Sequence, residues 1–225
     1  MTEHVANTPQ FSTKASAREH LRGRRRELSA EQNRVRADKL AEILLHTVAA
    51  GSTVLGYLPM RGEPDVLPFL TAHAERAGSV WTPVIPERPS RELQWVPWSP
   101  GAEVRRSAHF PVHEPTGMRH TLNQVLTQTA ETPGIGSAQS PTPAVTVLLP
   151  GLAVDESGCR LGQGGGYYDS TFAQIAVTAK LPLPVRILGV VHDQEFLPTR
   201  SFPVEPHDLR VTSLVTEGGL RRLTV

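Results

Sequence analysis

Residues 150–170 read PGLAVDESGCRLGQGGGYYDS. The apolar run at 145–149 enters this stretch as a strand. Glycines at 162, 164, 165 and 166 make a turn, and a helix is predicted over about 168–180. Glycine admits positive φ and a close backbone approach, so successive N–H groups can converge on an anion. The positive end of the following helix adds to that attraction. Neither common phosphate pattern is present. G-x-x-x-x-G-K-[ST] is absent, and G-x-G-x-x-G fails because Tyr167 occupies the sixth position of the pattern that starts at Gly162. On the glycines alone, a plain flexible loop is the competing reading.

The flanks favour a ligand. Arg160 precedes the glycines, and Tyr167, Tyr168 and Asp169 follow them, in a chain with only three tyrosines. Paired aromatic rings offer a flat ligand a stacking surface. Asp169 can hold Mg²⁺ against phosphate oxygens, or simply cap the helix.

Working outward, strands are predicted at 53–58, 79–85, 93–98, 185–191 and 211–215. Helices are predicted at 14–28, from Ser29 with a capping box to Gln32, and after Asp65. Residues 127–143, rich in Thr, Ser, Pro and Gly, read as a surface loop insertion, and 1–13 as a flexible N-terminus. Strands alternating with helices favour a largely parallel sheet covered on both faces.

At 225 residues and 39% hydrophobic content, the chain suits one soluble domain. No apolar run reaches the roughly 18–20 residues of a membrane span, and 1–15 lacks a signal-peptide core. The lone cysteine, Cys159, cannot form an internal disulfide, so a cytoplasmic protein is expected. Net charge is +1, yet Lys14, Arg18, Arg22, Arg24, Arg25 and Arg26 cluster against one acid, Glu19. Such a segment suits a phosphate-rich ligand. It is too short, and too poor in aromatics, for an RNA-binding module. None of the nine histidines has metal-ligand spacing, and no histidine catalysis is expected.

The run from Arg160 to Asp169 resembles the R-L-G-x-G-x-G-Y-Y-D signature of 5-formyltetrahydrofolate cyclo-ligases, and 149–155 resembles their P-G-L-x-F-D run. Lys14 and Arg18 match the family's N-terminal K-x-x-x-R. Tyr57-Leu58-Pro59 with Glu63, the stretch 110–115, Gln194, 206–208 and Thr216-Glu217 follow in the family's order. The resemblance implies a single three-layer α/β/α domain with a mostly parallel sheet, acting as a monomer. It also implies conversion of 5-formyltetrahydrofolate to 5,10-methenyltetrahydrofolate, with ATP as co-substrate and Mg²⁺ as cofactor. No nucleic acid and no membrane enter that chemistry.

By the same resemblance, Lys14 and Arg18 hold the triphosphate together with Arg160, Leu161, Gly162, Gln163, Gly164, Gly165, Gly166, Tyr167 and Tyr168. Gln163 and Tyr167 stand at the reacting group, with Tyr167 also touching the folate. Asp169 and Asp208 take the metal. Glu63 accepts hydrogen bonds from the pterin, while Leu58 and Phe110 line its pocket or pack in the core. Arg22 and 24–26 are left on the surface, and Cys159 is a bystander. Gln163 stands where some relatives carry Arg, so Gln163→Arg is expected to raise turnover. The alternative is a paralogue that binds ATP or folate as a non-catalytic sensor, or that acts on another substrate.

Overall fold

The computed structural model describes residues 10–107, 111–132, 144–177, 183–206 and 208–224. In chain order its elements begin with α1 (Lys14–Arg26), α2 (Ala30–Thr47), β1 (Thr53–Leu55), α3 (Leu67–Glu75), β2 (Ser79–Val84) and β3 (Gln94–Pro97). Next come β4 (Val104–Arg106), β5 (His113–Pro115), α4 (Leu122–Glu131), β6 (Val145–Pro150), β7 (Ala153–Asp155) and β8 (Arg160–Leu161). The last are α5 (Tyr167–Val177), β9 (Val185–Val190), β10 (Phe196–Leu197), β11 (Ser213–Thr216) and β12 (Gly219–Arg222).

A seven-stranded sheet of order β12-β11-β9-β6-β1-β2-β3 divides the molecule. Its five inner strands are parallel, and β3 and β12 run antiparallel at the two edges. The mostly parallel sheet expected from the sequence is therefore present. Alternate residues of β6 serve opposite faces, as strand geometry requires. Val145, Val147 and Leu149 pack with Val125 and Leu126 of α4 and Phe172 of α5. Leu148 packs with Leu40 and Leu44 of α2 and with Phe69 and Leu70 of α3. Strand β6 is buried on both sides, which explains its unbroken apolar run.

Helix α1 belongs to neither layer. Its Ala17 and Leu21 pack on the small β10-β7-β8 sheet with Leu152, Leu161 and Phe202, and Cys159 is buried in the same cluster. Order extends into the segment expected to be flexible. Phe11 packs on this cluster and donates its N–H to Ser201 O at 2.8 Å, and Thr13 caps α1.

The capping box from Ser29 to Gln32 opens α2 as the sequence implied. Asp65 accepts the Leu67 N–H at 2.9 Å, although Val66 occupies the cap position of α3. The expected loop at 127–143 is corrected at its start. Helix α4 continues to Glu131 because Thr121 and Gln124 form a capping box and Val125, Leu126 and Thr129 are buried. Residues 133–143 lie outside the described residues. Among the described residues no helix is long and apolar enough to cross a membrane.

His73 of α3 is 1% exposed, with Nε2 2.9 Å from Ser52 O. Burial pulls its pKa below the ordinary 6.5, outweighing the Ser52 contact. The folded state therefore resists a proton that the unfolded chain accepts. Stability is full above about pH 6.5 and falls as pH drops towards the folded pKa, by up to about 1.4 kcal/mol per pH unit. His73→Gln, which keeps an N–H for Ser52 O, should show a shallower fall in melting temperature between pH 7 and 5.5. Identical pH slopes would remove His73 from acid denaturation.

Candidate active site

The chain builds β1, moves outward through β2 and β3, then crosses back to lay β6 on the other side of β1. The strand order thus reverses between β1 and β6, and ligands of open α/β sheets bind outside the carboxyl ends of the strands at such a point. A cavity of about 970 Å³ opens there. Its walls come from the segment after β1 (Tyr57 to Glu63), the end of β2 (Ile85), the glycine loop and one face of α1.

The glycine loop is set by the β7–β8 hairpin before it. Asp155, 1% exposed, accepts hydrogen bonds from the N–H groups of Ser157 and Cys159 through Oδ1. Gly158 (φ +78°) closes that turn, and a Cβ there would collide with Val211 O. The loop then passes through Gly164 (φ +103°) and Gly166 (φ +70°) into α5. Leu161, Gly162, Gly165, Tyr167 and Tyr168 all line the cavity with them. Tyr168 stacks on Phe172 at 6.2 Å, and burial pushes its phenol well above its ordinary pKa, so it stays neutral.

Arg160 and Asp169 meet at the rear of the loop. Arg160 is 5% exposed, and its Nη2 donates to both Asp169 oxygens at 2.8 Å while Nη1 donates to Pro150 O at 3.1 Å. Its guanidinium is thus engaged within the protein and holds the strand end, the loop and the α5 N-terminus together.

Lys14 and Arg18 face the same cavity one turn apart. Lys14 Nζ contacts both Asp208 oxygens at 2.7 Å and Glu205 Oε2 at 2.6 Å. Burial alone would lower its pKa, but the hydrogen bonds to Asp208 and Glu205 outweigh that and hold it above the ordinary lysine value. It remains charged throughout the neutral range. Arg18 Nε donates to Gly162 O at 2.9 Å.

Arg22 and Arg26 are exposed as expected, while Arg24 is half-buried and Arg25 is buried, which corrects the expectation for those two. Arg22 Nε and Nη2 donate to Gln163 Oε1 at 3.0 and 2.8 Å, and Arg24 Nη2 donates to Gln194 Oε1 at 2.8 Å. Arg25 is 5% exposed. It forms a two-pronged ion pair with Glu195 at 2.6 and 2.7 Å and donates to Gly151 O at 2.6 Å. The spacing 14, 18, 22, 25 marks one face of the helix, and that periodicity was the available signal. A run of three arginines concealed it.

Glu63, 9% exposed, accepts the Met60 N–H at 3.0 Å and the Gln163 Nε2 at 3.1 Å. Leu58 lines the cavity beside it, and Phe110 lies outside the described residues. With Arg22 against Gln163, an arginine at 163 would meet a like charge there. On its other side it would meet the carboxylate of Glu63, which now lies 3.1 Å from Gln163 Nε2. His192 precedes a 3₁₀ turn; its Nε2 is 3.1 Å from Gly62 O, and it is buried away from the cavity lining.

Asp169 and Asp208 both line the cavity. Among the described residues no three His, Cys, Asp or Glu side chains converge as a metal cage. Mg²⁺ bound with a nucleotide needs only one or two carboxylates, since phosphates and water complete its shell. Asp169 also accepts the Leu209 N–H at 3.3 Å and Asp208 the Glu205 N–H at 2.7 Å, and carboxylates beside a phosphate site are the oxygen donors that Mg²⁺ takes.

Comparison with known proteins gives a consistent answer. The profile of the 5-formyltetrahydrofolate cyclo-ligase family matches residues 10–217. A 5-formyltetrahydrofolate cyclo-ligase from Mycolicibacterium smegmatis is 31% identical over 207 residues, covering 91% of this chain and 93% of that one. One from Escherichia coli is 27% identical over 199 residues, 87% of this chain and 96% of its own. The fold matches the 5,10-methenyltetrahydrofolate synthetase of Aquifex aeolicus with a TM-score of 0.64 and 24% identity, over 93% of this chain and 92% of that one.

Proposed function

The chain belongs to the 5-formyltetrahydrofolate cyclo-ligase family and is an enzyme of that class; on that premise we propose that it converts 5-formyltetrahydrofolate to 5,10-methenyltetrahydrofolate in the cytoplasm, releasing ADP and phosphate. One observation supports this reading most. The switch-point cavity gathers Lys14, Arg18, the glycine loop, Glu63, Asp169 and Asp208 from segments almost 200 residues apart.

A formamide oxygen is a poor leaving group, so it is phosphorylated first. The formyl oxygen attacks the γ-phosphate of ATP and gives an imidate phosphate with loss of ADP. The anilino nitrogen of the folate then closes the five-membered ring, and phosphate departs. Phosphoryl transfer of this kind depends on positioning and charge neutralisation. Lys14 and Arg18 bring fixed positive charge to the triphosphate, and residues 162–166 line the same cavity. Glu63 accepts from the amino and ring N–H groups of the pterin. Leu58 and Tyr167 bound the folate, and the amide of Gln163 serves the reacting end. Asp169 and Asp208 would hold Mg²⁺, which would supply neutralisation of phosphate charge.

The test is the absorbance of methenyltetrahydrofolate appearing from 5-formyltetrahydrofolate with and without ATP. Product formed only with ATP supports the enzyme. ATP binding without turnover on any folate would favour a sensor.

Asp208→Asn should raise the Mg²⁺ concentration for half-maximal activity by about tenfold, the weight of one charge-assisted contact. A titration matching the parent's would leave Asp208 only its grip on Lys14.

A further inference from the structure

The contact between Gln163 and Glu63 has a direction. Arg22 presents Nε and Nη2 to Gln163 Oε1 at 3.0 and 2.8 Å, and its Nη2 also reaches Gln163 O at 2.9 Å. Arginine only donates, so the carboxamide oxygen must face Arg22 and the NH₂ must point away. It points at Glu63, with Nε2 3.1 Å from Oε1. The other oxygen of Glu63 accepts the Met60 N–H at 3.0 Å. An N–H donor of the protein therefore already sits on the carboxylate that is proposed to receive the N–H donors of the pterin. Gly164 and Gly166 beyond it take positive φ, and Arg18 holds Gly162 O at 2.9 Å before it, so the loop backbone is held while the side-chain amide turns.

We propose that Gln163 is a latch displaced by substrate. Its amide occupies Glu63 in the substrate-free chain. The amino edge of the incoming pterin replaces it, and the released carboxamide turns towards the formyl group. The inference rests on the reading of Glu63 given above. Pterin recognition and readiness of the phosphate loop then become one event, and the affinity for folate is reduced by the fraction of chains whose latch is closed.

The readout is binding of 5-formyltetrahydrofolate without nucleotide, followed by tryptophan fluorescence. Gln163→Met fills a similar volume with no donor for Glu63. It should bind the folate about five- to tenfold more tightly than the parent, and turn it over more slowly with ATP. Arg22→Met, which frees the amide to rotate, should tighten binding to a lesser degree. Local damage does not improve affinity, so a gain supports the latch. Equal or weaker binding by Gln163→Met, with Glu63→Gln still impaired, overturns the latch and leaves the site reading intact. If Glu63→Gln binds the folate as the parent does, the reading of Glu63 fails and the latch fails with it.

Discussion

Arg25→Leu alone is expected to lower stability by about 3–5 kcal/mol, because it strands a buried carboxylate. The side chains of Arg25 and Glu195 are 4% and 3% exposed, and their paired contacts of 2.6 and 2.7 Å leave no solvent to compensate a missing partner. The carbonyl of Gly151 would lose its 2.6 Å donor in the same step. Burial works against the Arg25 charge, but Glu195 outweighs it and holds the guanidinium firmly protonated. The double variant Arg25→Leu with Glu195→Ile should behave differently. Removing both charges also removes both desolvation costs, so the double variant should recover part of the loss, short of the parent because Gly151 O and the His192 N–H lose their partners and Glu63 its neighbouring charge. Urea midpoints of the two single variants and the double one decide this. Single variants as stable as the parent would show that the pair is solvated in solution, and a double variant as unstable as the singles would show that the pair itself is required.

Lys14→Ala is expected to raise the KM for ATP about ten- to a hundredfold with the fold intact, since one charge-assisted contact is worth roughly 1.5–3 kcal/mol. The upper end is favoured by what surrounds Lys14. Its ammonium separates Asp208 from Glu205, at 2.7 and 2.6 Å. Without it, two carboxylates remain where a triphosphate must approach, and repulsion adds to the lost attraction. The measurement is initial rate against ATP at saturating folate and Mg²⁺, with thermal denaturation as the control for folding. An unchanged KM would take α1 out of the nucleotide site.

Much of the scaffold was legible in the chain because it rests on local rules. The capping box at Ser29 and Gln32, the apolar run of β6 and the glycines before α5 each determine their own element. The candidate site was legible where a motif was contiguous, from Arg160 to Asp169. It was opaque where distant side chains decide. The run Arg24-Arg25-Arg26 looks uniform, yet only Arg25 turns inward, because Glu195 lies 170 residues on. Likewise Lys14 meets Asp208 across 194 residues, so neither reads as a partner of the other. Helix α4 was missed altogether, because Thr127, Thr129 and Ala130 resemble loop composition, while Thr129 is in fact buried with its hydroxyl on Thr53.

The return of the chain to the far side of β1 also shapes how the protein is made. Thr53 pairs with Ser79 on one side and with Val145 on the other. On a ribosome working at about 5–20 residues per second, the first partner follows within a few seconds, and the second needs roughly five to twenty. For that interval Val54 and Leu55 lie on an open sheet edge, the exposure from which strands aggregate. A nascent chain halted before β6 should therefore be a chaperone client, and release from the chaperone should coincide with synthesis of β6.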